Sequence, residues 1–253
     1  MQSLSDNSFH WMLNQTTEHQ FDFLKGEVLL INKPYKWTSF NVISSIRYLI
    51  KHHTGIKKIK VGHAGTLDPL ATGLLIICTG KFTKKIEEFQ GLEKEYTGSF
   101  IIGATTRSFD RETEVDQTFN ISNINHEMLL QTAKKFTGTF KQTPPLYSAI
   151  KIKGKRAYKY ARNDEDVKIK PKLITIKEFE LTNINLPEIF FRVVCSKGTY
   201  IRSLASDFGE AIKCGAYLSS LKRIRIGNFR LEDAIQTEDL KKSLKIKKNN
   251  NNT

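Results

Sequence analysis

Cysteine is scarce in this sequence. Cys78, Cys195 and Cys214 are the three among 253 residues, and they lie far apart. None belongs to a C-x-x-C pair, which excludes a zinc knuckle and a dithiol redox motif. A sparse, odd count fits a reducing compartment. Long apolar runs are missing as well. The run "LLIIC" at 74–78 is far shorter than the roughly 20 residues that cross a bilayer. The opening, "MQSLSDNSFHWMLNQTTEHQ", has neither the basic start nor the apolar centre of a signal peptide, so a cytoplasmic protein without a membrane segment is expected. There is no P-loop: "GLLIICTGKF" has the wrong glycine spacing, and Phe82 follows Lys81 where a hydroxyl is needed. His63 has no second ligand at metal spacing, and "DRETEVD" (110–116) reads as an exposed turn. Neither a metal nor a cofactor is signalled. Acidic residues are also in deficit, 26 against 40 Lys and Arg, a formal charge of +14. That surplus favours a polyanionic partner, although a basic solvated surface alone would produce it too.

What is present has the period of a mixed α/β chain. Residues 1–20 are polar and aperiodic and read as a loose arm. "EVLLINK" (27–33) reads as a buried strand stopped by Pro34. Thr38 and Ser39 can cap a helix over about 40–52, whose apolar residues Val42, Ile43, Ile46, Leu49 and Ile50 share one face. Further strands are expected at "GLLIICTG", "EYTGSFIIG" (half-buried, 95–103), 172–181, 189–196 and 217–229. Helices are expected at about 126–136, ending at Gly138, at 199–213, ending before Gly215, and at 231–243. The end, 244–253, is a low-complexity basic and Asn-rich tail. No repeat and no dividing linker is visible, so 21–243 reads as one domain. Hairpin-like strands with interspersed helices point to an α+β fold with a largely antiparallel central sheet flanked by helices.

One stretch concentrates chemistry: "GHAGTLDPLATGLL" (62–75). Gly62, Gly65 and Gly73 permit tight turns or close approach. Pro69 pushes Asp68 out of the helical region. A carboxylate is thereby held on a stiff loop ahead of a buried strand, where a functional side chain can be fixed. An Asp that merely caps its own turn would show the same pattern.

The stretch "GHAGTLDPLATGLLIICTGKFTK" resembles the signature of the TruB family of tRNA pseudouridine synthases. "VLLINKP", "KEYTGSFIIGATT", "TPPLYSAIKIKGKRAYKYAR", "CSKGTYIRSLASDFG" and "GAYLSSLKRIRIG" resemble the family's other segments in the family's order, so the resemblance covers about 26–230. Two segments depart from it. K-P-x-G here has Lys36 for glycine, and T-D-T-x-D has Arg107 and Ser108. About 20 residues follow the last matching strand, too few for the PUA domain of many members, so the pseudouridine synthase fold is expected without a complete one.

The resemblance implies isomerisation of the uridine at position 55, in the T-arm loop of tRNA, to pseudouridine, with the target base flipped out. It implies that Asp68 is catalytic, attacking or deprotonating the sugar without a cofactor. It implies that Arg202 pairs with Asp68, that Tyr96 stacks on the uracil, that Tyr200 and Leu221 line the base pocket, and that His63 helps hold the flipped-out loop. The partner is the T-arm stem-loop, with no obligatory protein partner, and the enzyme is expected to be a monomer. The segments 151–162 and 221–230 interleave basic and aromatic residues, as an RNA groove can.

Overall fold

The structure, a computed structural model, describes residues 21–152, 154–163, 165 and 167–250. The N-terminal arm expected at 1–20 lies outside the described residues. Strand β1 (Val28–Lys33) ends at Pro34. Helix α1 (Ser39–Thr54) has Thr38 as its cap. The Thr38 side chain accepts from the Asn41 backbone N–H, and the Asn41 side chain accepts from that of Thr38. Gly55, at φ 76°, closes the other end. Then come β2 (Val61–His63), β3 (Thr72–Thr79), a 3-10 stretch (Gly80–Lys85) and α2 (Ile86–Gly91). They are followed by β4 (Lys94–Ile102), β5 (Ala104–Thr106), β6 (Val115–Thr118), α3 (His126–Lys135) and β7 (Gly138–Gln142). Next are β8 (Lys151–Ile152), β9 (Lys155–Arg156), α4 (Ala157–Arg162), β10 (Lys172–Asn185), β11 (Glu188–Cys195) and α5 (Ile201–Ala211). The chain ends with β12 (Ala216–Ile226), β13 (Phe229–Arg230), a 3-10 turn (Leu231–Asp233) and α6 (Thr237–Asn250).

No linker divides the sequence, yet the described residues form two compact units: those of 21–92 with 223–250, and those of 93–222. The first is discontinuous, which is why no composition shift marks it. In it, β1 lies antiparallel to β3, from Val28 opposite Cys78 to Lys33 opposite Gly73. β2 pairs with the far part of β3, His63 opposite Ile77. The "LLIIC" run is apolar throughout because β3 is covered on both faces. Leu75 and Ile77 pack with Leu29, Ile31, α1 and α6, while Leu74, Ile76 and Cys78 pack with Val28, Leu30, Phe89 and Ile226.

In the second unit β7, β10, β11 and β4 form successive antiparallel pairs. Phe100, Phe179, Phe191 and Phe208 meet at ring-centroid distances of 4.3 to 6.2 Å and bring α5 onto the strands. Antiparallel pairing dominates throughout. Isolated parallel bridges join Ile31 with Ile235 and Asp110 with Leu218.

Several boundaries differ from the sequence expectation. Helix α3 ends at Lys135, capped at Phe136, and Gly138 (φ 118°) opens β7 instead of stopping the helix. β4 is more than half-buried: even Lys94, Glu95 and Ser99 are enclosed. The last helix starts at Thr237, after the 3-10 turn, and runs to Asn250. Lys36, which replaces the expected glycine, keeps glycine's left-handed conformation at φ 65°. A side chain there costs about 1 kcal/mol. Among the described residues no helix is long and apolar enough to cross a membrane.

Candidate active-site residues

Asp68 is half-buried in the connection between β2 and β3. That connection is irregular, so its backbone groups need partners from elsewhere. Three carbonyls of the connection, and that of Leu74 just beyond it in β3, find them. The guanidinium of Arg223 donates to Gly65 O at 3.0 Å and to Leu74 O at 2.8 Å. Ser39 Oγ donates to Leu67 O at 3.1 Å and accepts from Leu67 N at 2.9 Å. Lys33 Nζ donates to Pro69 O at 3.3 Å, and also to Trp37 O at 2.6 Å and Pro34 O at 3.0 Å. Asp68 thus sits between residues whose main chain is tied down on either side. Ser39 was expected to help cap α1; Thr38 does that alone, and Ser39 faces the loop.

The ammonium of Lys33 is wholly buried. Burial lowers its pKa from 10.5 to about 8, against the opposing attraction of Asp68, with Arg223 adding to the lowering. Between about pH 8 and 10.5 the unfolded chain therefore binds more protons, and this group's contribution to stability rises with pH. Below about pH 8 the folded protein carries the whole cost of the enclosed charge. The melting temperature of the protein, measured relative to Lys33→Met, should climb between pH 8 and 10. A constant difference across that range would show that Lys33 titrates like an exposed lysine. His63 is held below 6.5 by burial and then by the Arg223 charge, so its imidazole is neutral near pH 7. Its Nδ1 is buried with no hydrogen-bond partner.

The other candidates belong to the second unit. Arg202, second residue of α5, is only 4% exposed, so it is not a surface arginine at a helix start. Its Nη1 donates to Tyr147 O at 2.9 Å and Ser108 O at 3.2 Å, and its Nε lies 3.5 Å from Asp110 Oδ2. Asp110 in turn accepts from Glu112 N at 2.9 Å. The acidic run is therefore not an exposed turn throughout: residues 111–116 are largely exposed, but Asp110 is buried against Arg202. Of the two departures nearby, Arg107 is exposed, while Ser108 is buried and bonded to Thr113 Oγ1 at 3.0 Å. Tyr96 is buried on β4 opposite Val193. Tyr200, half-buried, is gripped at both main-chain groups by Gln142: its N donates to Oε1 at 2.8 Å and its O accepts from Nε2 at 3.1 Å. Leu221 is half-buried on β12.

The two basic segments fare differently. In 151–162, Lys151, Arg156, Lys159 and Arg162 are exposed, with Lys155 over the Tyr160 ring at 4.4 Å and Arg162 over Tyr158 at 5.5 Å. In 221–230, Arg223 is buried and unavailable to RNA. Sequence reasoning missed the tethering roles of Lys33, Ser39, Arg223, Asp110 and Gln142. Lys33, Asp110 and Arg223 lay in quoted motifs, but residue type and spacing alone did not show which buried groups they tie. Among the described residues no group of three or more His, Cys, Asp or Glu is placed to hold a metal ion.

Residues 51–201 match the model of the TruB family pseudouridylate synthase N-terminal domain, and 202–253 that of the tRNA pseudouridylate synthase B C-terminal domain. The chain belongs to the TruB family. It is 56% identical over 224 residues to the tRNA pseudouridine synthase B of Flavobacterium johnsoniae, covering 88% of this chain and 98% of that protein. The synthase B of Phocaeicola vulgatus is 56% identical over 217 residues, covering 86% and 92%. A solved chain from a Cbf5–Nop10–Gar1 complex superposes with a TM-score of 0.65 at 28% identity, over 87% of this chain and 54% of that one. The chain thus spans about half the length of that protein. As a TruB-family member it has the pseudouridine synthase fold.

Proposed function

We propose that this chain converts the uridine at position 55, in the T-arm loop of tRNA, to pseudouridine, using the Asp68 carboxylate and no cofactor. The activity is that of a TruB-family tRNA pseudouridine synthase. In this reaction the N1–C1′ bond breaks, the base turns, C5 bonds to C1′ and the C5 hydrogen leaves as a proton while N1 gains one. A carboxylate aimed at the ribose either adds to C1′ or removes a sugar proton to begin it. The observation that carries this reading is the Asp68 loop: a half-buried carboxylate flanked by tethered carbonyls at Gly65, Leu67, Pro69 and Leu74. Such preorganisation avoids reordering a nucleophile during the reaction. Arg202 pairs with Asp68 in the complex, Tyr96 stacks on the flipped uracil, Tyr200 and Leu221 line its pocket, and the neutral His63 ring supports the opened loop. The exposed bases of 151–162 neutralise phosphates. The enzyme works in the cytoplasm as a monomer without a guide RNA, in keeping with 56% identity to a synthase B against 28% to the Cbf5 chain.

Pseudouridine and uridine have the same mass, so the test follows the C5 hydrogen. A T-arm stem-loop with tritium at C5 of its uridines should release label to water with purified protein alone. Release should stop when the target uridine is replaced by cytidine. Release that needs a guide RNA or a partner protein would assign the chain to a ribonucleoprotein enzyme instead. No release from any tRNA by folded protein would make it an RNA-folding module.

A further inference from the structure

We propose that Arg223 is a positioning residue for this reaction: its guanidinium ties the start of the Asp68 loop to the first residues of the strand beyond it, β3, and so holds the carboxylate in its reactive conformation. Only 1% of Arg223 is exposed, so it does not touch RNA. Its Nε and Nη2 bond Leu74 O and Gly65 O, one on each side of Asp68 in the chain, at 2.8 and 3.0 Å. The Arg223 main chain lies against Gly73, at φ 102°, where any Cβ would collide with it. Side chain and backbone together thus bracket the loop.

Two features argue that this is more than packing. The hydrogen bonds of Arg223 go to carbonyls and not to a carboxylate. Enclosing a cation on such terms is costly, and an apolar side chain of similar size would stabilise a strand at least as well. The charge also acts on its titratable neighbours: it lowers both His63 and Lys33, the residue that holds Pro69 O and attracts Asp68. A lysine at 223 would keep the charge but could not span two carbonyls with a planar fork.

The test compares Arg223→Lys and Arg223→Met on the T-arm stem-loop. In Arg223→Lys, kcat should fall about a hundredfold through misplacement of Asp68, with KM and RNA affinity unchanged. The His63 pKa, followed by NMR, should stay low in Arg223→Lys and rise in Arg223→Met, which lacks the charge. A lower melting temperature with kcat of the folded protein within about threefold of wild type would make Arg223 merely structural and overturn the proposal. If neither variant folds, hydrogen exchange on the wild-type protein decides. The loop amides between Gly65 and Leu74 should exchange as slowly as those of β3, and exchange at the rate of an open loop would overturn it. The inference rests on the role given to Asp68. An active Asp68→Asn would sink that role first, whereas an inactive Asp68→Asn beside an active Arg223→Lys would sink only this one.

Discussion

Asp68→Asn should reduce tritium release by more than about ten-thousandfold, as loss of the attacking group does in other covalent or base-catalysed enzymes, while the T-arm stem-loop binds as before. The reason lies in what the substitution keeps. Asparagine has nearly the same shape, and the main-chain bonds around it are made by Ser39, Lys33 and Arg223 to residues other than Asp68. The loop should therefore retain its form, and only the charged oxygen is lost. On the proposed reading, binding rests on phosphate contacts made elsewhere, so turnover and affinity should separate. Activity within about tenfold of wild type would remove Asp68 from the chemistry.

Arg202→Lys should lower kcat by about a hundred- to a thousandfold, the usual loss when one preorganised charge donor is removed. Nominally this is a conservative change. In this setting it is not, because the guanidinium serves Tyr147 O, Ser108 O and the Asp110 carboxylate at once. A single ammonium on a flexible stem cannot reproduce that fork. It would leave Asp110, which is 5% exposed, enclosed beside a poorly matched cation. The pH–rate profile is the second readout, since the proposed pair with Asp68 would be altered too. Retained activity with an unchanged profile would disprove that pair.

Much of the first unit was legible because its signals are local. The apolar period of α1, the proline after β1 and the continuous apolar run of β3 each act within a few residues. The motif around Asp68 was legible for the same reason, and recurring residues at Tyr96, Tyr200, Arg202 and Leu221 carried the family resemblance. Local pattern failed at Gly138, where a glycine read as a helix stop is the start of a strand. Local pattern left the turn at Lys36 undecided, and there a non-glycine takes the left-handed conformation.

By itself, the sequence determined the family and the α+β class, and it singled out Asp68 as the carboxylate proposed to react. Each depends on residue type and short-range spacing, which the chain displays directly. Only the tertiary structure decided what holds that carboxylate. The bond from Arg223 to Gly65 joins residues 158 apart, and those between Ser39 and Leu67 span 28; in the other unit the bonds from Arg202 to Ser108 and from Gln142 to Tyr200, which fix other candidate residues, span 94 and 58. A basic residue in a basic strand looks the same whether it faces solvent or a buried carbonyl. The choice is made when folding encloses unpaired backbone groups that must find a donor.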